Sequence, residues 1–140
     1  MIWLGPRQQL DKLNITDVQL LSTNLRPQYT VRSLGVILDS QWTMSSHITS
    51  LCRSGYYQLR QLRGMIQSLT SDATKTLVHA FISSRLDCCN SLLFGVADQQ
   101  LKQLQSVQNA AARLVTGTRR SDHITPVLKV LHWLPVRQRI

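Results

Sequence analysis

Arginines spaced along one face of a predicted helix are the clearest chemical signal in the chain. Arg53, Arg60 and Arg63 each follow a predicted core position by one residue, which places them in a stripe along the edge of the buried face. Tyr56 and Tyr57 lie between them. Guanidinium groups grip phosphate oxygens and aromatic rings stack on bases, so this pattern favours nucleic-acid binding. The alternative interpretation is a solvated stripe whose tyrosines pack at the edge of the core.

Three further arginines lie in or just after a helix predicted over residues 98–117. Arg113 falls opposite its expected apolar stripe, on a polar face that contains no acidic residue. Arg119 and Arg120 lie in the next loop, where small hydroxyl side chains suit contacts with backbone phosphates. A charged surface loop remains the alternative. The expected core stripe of this helix is Leu101, Leu104, Ala111 and Val115.

The charge balance supports a polyanionic partner. Lys and Arg number 16 against 7 acidic residues, which gives a net charge of +9. Every acidic residue is Asp, and Arg outnumbers Lys by 12 to 4. Because the planar guanidinium binds phosphate in two places, this bias favours nucleic acid, with a merely basic protein as the alternative.

One arginine falls inside an apolar face. The helix predicted over residues 72–94 is apolar over a broad arc, so we expect it to be the most buried helix. Arg85 lies within that arc. It predicts either a buried guanidinium held by a carboxylate or carbonyl groups, or an arginine that reaches a nucleic-acid groove.

The chain has no motif that predicts an active site or a metal site. It lacks HExxH, paired Cys/His spacings, GxSxG, a P-loop and GxGxxG, and its aspartates are scattered singly. We therefore predict no catalytic residue and no bound metal. The three cysteines form no CxxC pair and are expected to be buried thiols. The histidines, which match no metal-binding spacing, are His47, His79, His123 and His132, and the three cysteines are Cys52, Cys88 and Cys89.

The pattern of apolar residues predicts an α+β fold, in which short strands precede a mainly helical bundle. The helix starts are expected at Ser71, Asp98 and Thr125 with Pro126, and two helix ends at Gly95 and Gly117. Strands are predicted at residues 2–4, 18–21 and 31–38, and helices at 44–67, 72–94, 98–117 and 125–132.

No stretch approaches the ~20 apolar residues that span a bilayer, and the first residues are too short an apolar run for a signal peptide. We therefore expect an intracellular protein, nuclear or cytoplasmic, that is neither secreted nor membrane-bound. Its oligomeric state is left open.

Five segments, in order along the chain, resemble the LINE-type (non-LTR, jockey-like or CR1-like) retrotransposon reverse transcriptases. They are VRSLGVILDS at 31–40, LVHAFISSRLD at 77–87, LQSVQNAAARLV at 104–115, HITPVL at 123–128 and LHWLPVR at 131–137. The resemblance implies that residues 1–40 end a palm subdomain and that 41–140 form a thumb-like helical region. The family has Tyr at the position of Cys88, so local packing there is expected to differ.

The same resemblance implies a nucleic-acid partner for this fragment and the absence of polymerase activity from it. The partner is the duplex of RNA template and DNA primer, contacted through Arg53, Arg60, Arg63, Arg113, Arg119 and Arg120. The family's metal-binding aspartates precede position 1, so we expect this fragment to lack polymerase activity and a cofactor of its own, whereas the parent polymerase needs Mg²⁺. The alternatives are an inactive remnant, a domesticated basic module that binds RNA or DNA, and a helical unit that binds a protein.

Overall fold

The chain is mixed α and β and divides into two compact units. The computed structural model describes residues 1–13 and 17–140. The units are Met1–His47, which holds two small antiparallel sheets, and Ile48–Ile140, which is helical. In the described part of the chain, no helix has the length and apolar character needed to cross a bilayer.

The first unit contains a short helix and two hairpins. Helix α1 is Arg7–Leu10. Strand β1, Val18–Leu20, pairs with β2, Thr23–Leu25, and β3, Thr30–Ser33, pairs with β4, Val36–Asp39. The sequence pattern did not predict α1 or β2, because both are too short to show a period.

The run at residues 31–38, predicted as one strand, is a hairpin with a two-residue turn. Ser33 pairs with Val36, and the turn residues Leu34 and Gly35 have φ of 48° and 86°. Positive φ at both turn positions matches the twist of the flanking strands. Gly35 adopts it without a Cβ penalty, which explains why the chain reverses here.

Residues 2–4 were predicted to be a strand, and this is wrong. The segment is instead held near its two ends: the carbonyl of Met1 accepts from the amide of Gln28 at 2.9 Å, and the amide of Gly5 donates to the carbonyl of Ser40 at 3.0 Å. Two separate backbone hydrogen bonds do not form the ladder of a β-sheet. Apolar composition without strand pairing therefore did not produce a strand here.

His47 accepts a hydrogen bond that requires its neutral form. The amide of Ile37 donates to Nδ1 of His47 at 3.3 Å, and burial lowers the pKa of His47 from its ordinary value of 6.5. The unfolded chain therefore takes up the proton first, so we expect stability to be full above pH 6.5 and to fall as the pH drops below it. Urea midpoints measured at descending pH test this. His47→Gln keeps an acceptor without titrating and should flatten the dependence; an equally steep curve would contradict the assignment.

Helices of the second unit surround one core. The long helix α2 starts in the first unit and contributes most of its length to the second. The helices are α2 Ser45–Met65, α3 Ser71–Val78, α4 Ser84–Asp87, α5 Asp98–Thr116, α6 Ile124–Val130 and α7 Val136–Arg139. The largest fully buried side chains here are Ile48, Ile82, Leu93, Leu104, Gln108, Val78 and Val107.

The helices predicted at 44–67, 98–117 and 125–132 are present, with ends shifted by a few residues. Thr70, not Ser71, caps α3, because its hydroxyl accepts from the amide of Ala73 at 3.3 Å. Asp98 is the first residue of α5 rather than its cap. Gly117 ends α5 with φ of 67°, as predicted.

The helix predicted over 72–94 is not continuous, and Arg85 is not buried. A π-helical segment, His79–Ser83, separates α3 from α4. Positions four residues apart in this segment still lie on one face. Because its turns are wider than those of an α-helix, the residues that follow are rotated relative to their places in an unbroken α-helix. Arg85 therefore lies at the surface, where its Nη1 donates to the Ser54 hydroxyl at 2.9 Å.

The prediction of buried thiols is wrong for Cys88. Cys88 is exposed, whereas Cys52 and Cys89 are half-buried, and the sulfurs of Cys88 and Cys89 lie 3.7 Å apart. Cys88 and Cys89 form the bend after α4, where Cys89 has φ of 62°. Burial raises the pKa of the Cys52 thiol.

The polar face of α5 is partly covered by the segment that leads into α7. Gln108 is 1% exposed, and its side-chain amide donates to the carbonyl of Leu134 at 2.8 Å. Gln105 donates to Gln108 at 2.9 Å and accepts from the amide of Val136 at 2.8 Å. Gln108 lies on the apolar side of α5 and thus anchors the C-terminal segment through its hydrogen bond to Leu134. The apolar periodicity did not predict this contact.

Gly55 allows α2 and α5 to approach closely. A Cβ at Gly55 would lie 2.7 Å from Cγ1 of Val107, which is fully buried and stiff at χ1. We expect Gly55→Ala to destabilise the fold by about 1 to 3 kcal/mol, measured by urea unfolding. Gly64→Ala is the matched control, because nothing lies within 4 Å of its Cβ; it should stabilise by up to about 1 kcal/mol. Equal effects of the two changes would refute the close approach.

Candidate nucleic-acid interface

Beside this close approach, α2 and α5 border a groove of about 890 Å³. We call it the α2–α5 groove. One wall comes from α2 and the short 3₁₀ turn Ile66–Ser68, and the other from α5 and the loop after it. The lining residues are Tyr56, Leu59, Arg60, Arg63, Ile66, Gln67, Ser106, Ala110, Arg113, Leu114, Gly117, Thr118 and Arg120.

Four of the six arginines singled out by the sequence line this groove. Arg60 and Arg63 come from α2, Arg113 from α5 and Arg120 from the loop. The other two, Arg53 and Arg119, are exposed but are not among its lining residues. Arg53 lies two helical turns before Arg60, roughly 10 Å along the axis. The structure therefore gathers residues that are about 50 positions apart in sequence into one basic surface.

The groove is strongly positive because its guanidinium groups lack acidic partners. Among the residues that the structure describes, no acidic side chain lines it, and the side chains of Arg60, Arg63 and Arg120 make no ion pair or hydrogen bond. Uncompensated like charges in one concavity repel each other and attract a polyanion. This is the electrostatic character that a phosphate-binding surface requires.

The aspartates are engaged elsewhere. Asp39 accepts from the amides of Gln41 and Thr43, and Asp122 accepts from the amide of Arg119 at 3.2 Å. The remaining ion pairs are Asp11 with Arg7, Asp17 with Arg26, Asp72 with Lys75, Asp87 with Arg139, and Asp98 with Arg137. Each carboxylate thus has a partner away from the groove, and none neutralises the groove arginines in the part of the chain that the structure describes.

Arg113 occupies the inner wall of the groove. Unlike Arg60 and Arg63 it is half-buried, and its Nη2 donates to the backbone carbonyl of Asp122 at a long 3.4 Å. Its Nε is buried and has no hydrogen-bond partner within residues 1–13 and 17–140. Buried donors are nearly always paired, so an unpaired Nε–H in this wall is unusual.

The loop after α5 is shaped by local hydrogen bonds. Besides the amide of Arg119, Asp122 accepts from the Ser121 hydroxyl at 3.3 Å. The hydroxyls of Thr116 and Thr118 lie 2.6 Å apart. These contacts hold the backbone of the loop while the side chain of Arg120 reaches the groove.

Of the two tyrosines between the α2 arginines, one contacts α5. The hydroxyl of Tyr56 lies 2.8 Å from that of Ser106, which joins the two walls of the groove. Tyr57 is 60% exposed and is not among the lining residues. The interpretation that both tyrosines pack at the core edge therefore fails for Tyr57.

Sequence reasoning missed the apolar part of the groove. Ile66, Ala110 and Leu114 were not singled out as binding residues, yet all three are half-buried lining residues. Leu59 is nearly buried beneath them. These residues lie next to predicted core positions in the sequence, which was the available signal. Such spacing cannot distinguish a residue of a filled core from one that lines an open groove.

The described residues do not fit the magnesium chemistry that the resemblance implies for the whole polymerase. Two-metal catalysis needs clustered carboxylates, whereas the aspartates here lie apart in separate contacts. Within the part of the chain that the structure describes, no group of three or more His, Cys or Asp side chains is placed to hold a metal ion.

Comparison of the chain with family models, with curated proteins and with solved structures returned no match in any of the three.

Proposed function

We propose that the chain is the thumb-side fragment of a LINE-type retrotransposon reverse transcriptase, and that the α2–α5 groove contacts the duplex of RNA template and DNA primer. The observation that carries the proposal is the convergence of Arg60, Arg63, Arg113 and Arg120 in one concavity whose described lining residues include no acid. Such contacts position a duplex through its phosphates and read no base edges. The fragment contributes binding, and the catalytic carboxylates belong to the preceding part of the parent polymerase.

The first unit supports the palm half of this proposal. In the described residues its two sheets have two strands each, and two-stranded sheets are marginal in isolation. Leu34, in the turn of the β3–β4 hairpin, is 98% exposed, and Tyr29, just before β3, is 85% exposed. In the described residues each strand pairs with one other strand, which leaves an edge that a larger palm sheet would pair with.

A test of the proposal measures binding to an RNA–DNA hybrid by fluorescence anisotropy while salt is raised from about 50 to about 200 mM. If the groove arginines neutralise three or four phosphates, the logarithm of the association constant should fall against the logarithm of salt with a slope of about −3. Weak binding that ignores salt would count against any nucleic-acid role.

A domesticated basic module remains the second candidate. The helical residues form a compact unit of their own, Ile48–Ile140, which a free-standing binding module requires. Phe94, which is 84% exposed, is the feature that instead favours a protein partner. Salt-dependent binding separates a nucleic-acid module from a protein-binding one, since only phosphate contacts release many counterions.

A further inference from the structure

The α2–α5 groove has too much apolar lining to be explained by phosphate contacts alone. Its volume of about 890 Å³ falls among the roughly 300–1,000 Å³ of sites that enclose a small ligand. A duplex is convex and stiff, so it can touch the rim of such a concavity but cannot fill it. An occupant that fills the groove must be thinner than a duplex, such as part of one strand.

The floor selects for an apolar, planar group. Ile66, Ala110 and Leu114 are half-buried and line the groove, so part of their apolar surface remains in contact with water. Covering that surface releases water and is favourable. A phosphate would leave it bare, whereas a nucleobase presents two apolar faces.

The walls of the groove supply guanidinium donors. Within residues 1–13 and 17–140, the side chains of Arg60 and Arg63 have no partner on one wall, and on the other wall Nη2 of Arg113 makes a long contact of 3.4 Å. Guanidinium planes bind phosphate and also stack on bases that have left a helix. The groove therefore combines the chemistry of phosphate and base within one site.

We propose that the α2–α5 groove takes a single unpaired nucleotide where a strand leaves the duplex, with its phosphates on the groove arginines and its base on the floor formed by Ile66, Ala110 and Leu114. This inference rests on the proposed function and deepens it. An acidic peptide matches the charge of the walls but offers nothing planar to the floor, which makes it the weaker occupant.

The experiment compares three hybrids of equal duplex length by anisotropy, using the full chain of 140 residues. One is blunt, one carries an RNA overhang of about four nucleotides, and one carries the same overhang without bases. The intact overhang should bind at least about fivefold more tightly than the blunt hybrid, and the abasic overhang should lose this gain. Polyaspartate should not compete for the gain.

The outcomes separate the two proposals. Equal affinity for the intact and abasic overhangs would overturn the inference while leaving phosphate binding in place. Displacement by polyaspartate as effective as by free strand would also overturn it. If none of the three hybrids shows salt-dependent binding, the proposed function itself fails.

A variant tests the floor directly. Ala110→Leu adds three carbons on the half-buried side of α5 and suits a helix, so it should fill part of the groove. We expect its affinity for the overhang to fall to that of the blunt hybrid. Because the abasic comparison uses the unchanged protein, the inference stays testable even if this variant folds poorly.

Discussion

Replacing both Arg60 and Arg63 with alanine should weaken binding to an RNA–DNA hybrid by about ten- to a hundredfold near physiological salt. Both side chains line the α2–α5 groove, and neither has a partner in the described part of the chain. Each lost phosphate contact should also make the salt slope shallower by about one. Far-UV circular dichroism should stay unchanged, because exposed arginines without partners hold no part of the fold.

The control for this prediction is Arg32→Ala combined with Lys129→Ala. It removes the same charge from exposed positions that do not line the groove. Only the diffuse attraction of net charge should fall, by a few-fold at most. If the two double variants lose affinity equally, the α2 stripe is a solvated edge, as its alternative interpretation holds.

Truncating Gln108 should have the largest effect on stability, about 2 to 4 kcal/mol for Gln108→Ala. The side chain is 1% exposed and donates to the carbonyl of Leu134. Its loss leaves a cavity, an unpaired carbonyl and an amide of Gln105 with one partner fewer. The urea midpoint should fall, with little change in the dependence of the unfolding free energy on urea.

Two further variants locate the cause. Gln103→Ala lies at an exposed position of the same helix and should change stability by less than about 0.5 kcal/mol. Gln108→Leu restores most of the volume but not the hydrogen bond, so it should cost about 1 to 3 kcal/mol. A Gln108→Ala variant as stable as Gln103→Ala would mean that the C-terminal segment is held without this contact.

Apolar periodicity was sufficient where an element is long and amphipathic. The helices at 44–67 and 98–117 were predicted from spacing alone, because a stripe that repeats over several turns leaves few alternatives. Gly117 ended its helix as predicted, since glycine readily adopts the left-handed terminal conformation. Short elements were predicted less well: β1 lies at the predicted 18–21, whereas residues 2–4 pair with no strand in the part of the chain that the structure describes.

The fate of Arg85 shows why periodicity fails at a π segment. The spacing assumed 3.6 residues per turn throughout, which places Arg85 on the apolar face. The wider turns of His79–Ser83 change the register, and Arg85 moves to the surface beside Ser54. The local sequence does not predict the π segment, because the packing of the buried residues around it decides where the helix widens.

The sequence by itself determined the charge excess, the long helices and the arginine candidates, since composition and periodicity are local properties of the chain. Tertiary structure decided which arginines act together: it brought Arg60 and Arg63 next to Arg113 and Arg120 and left Arg53 and Arg119 outside the groove. It also decided that Gln108 is buried and that the groove has an apolar floor. The groove depends on the close approach of α2 and α5 at Gly55 and Val107, and Gln108 is held by the C-terminal segment at Leu134. Contacts between distant residues leave no period in the sequence.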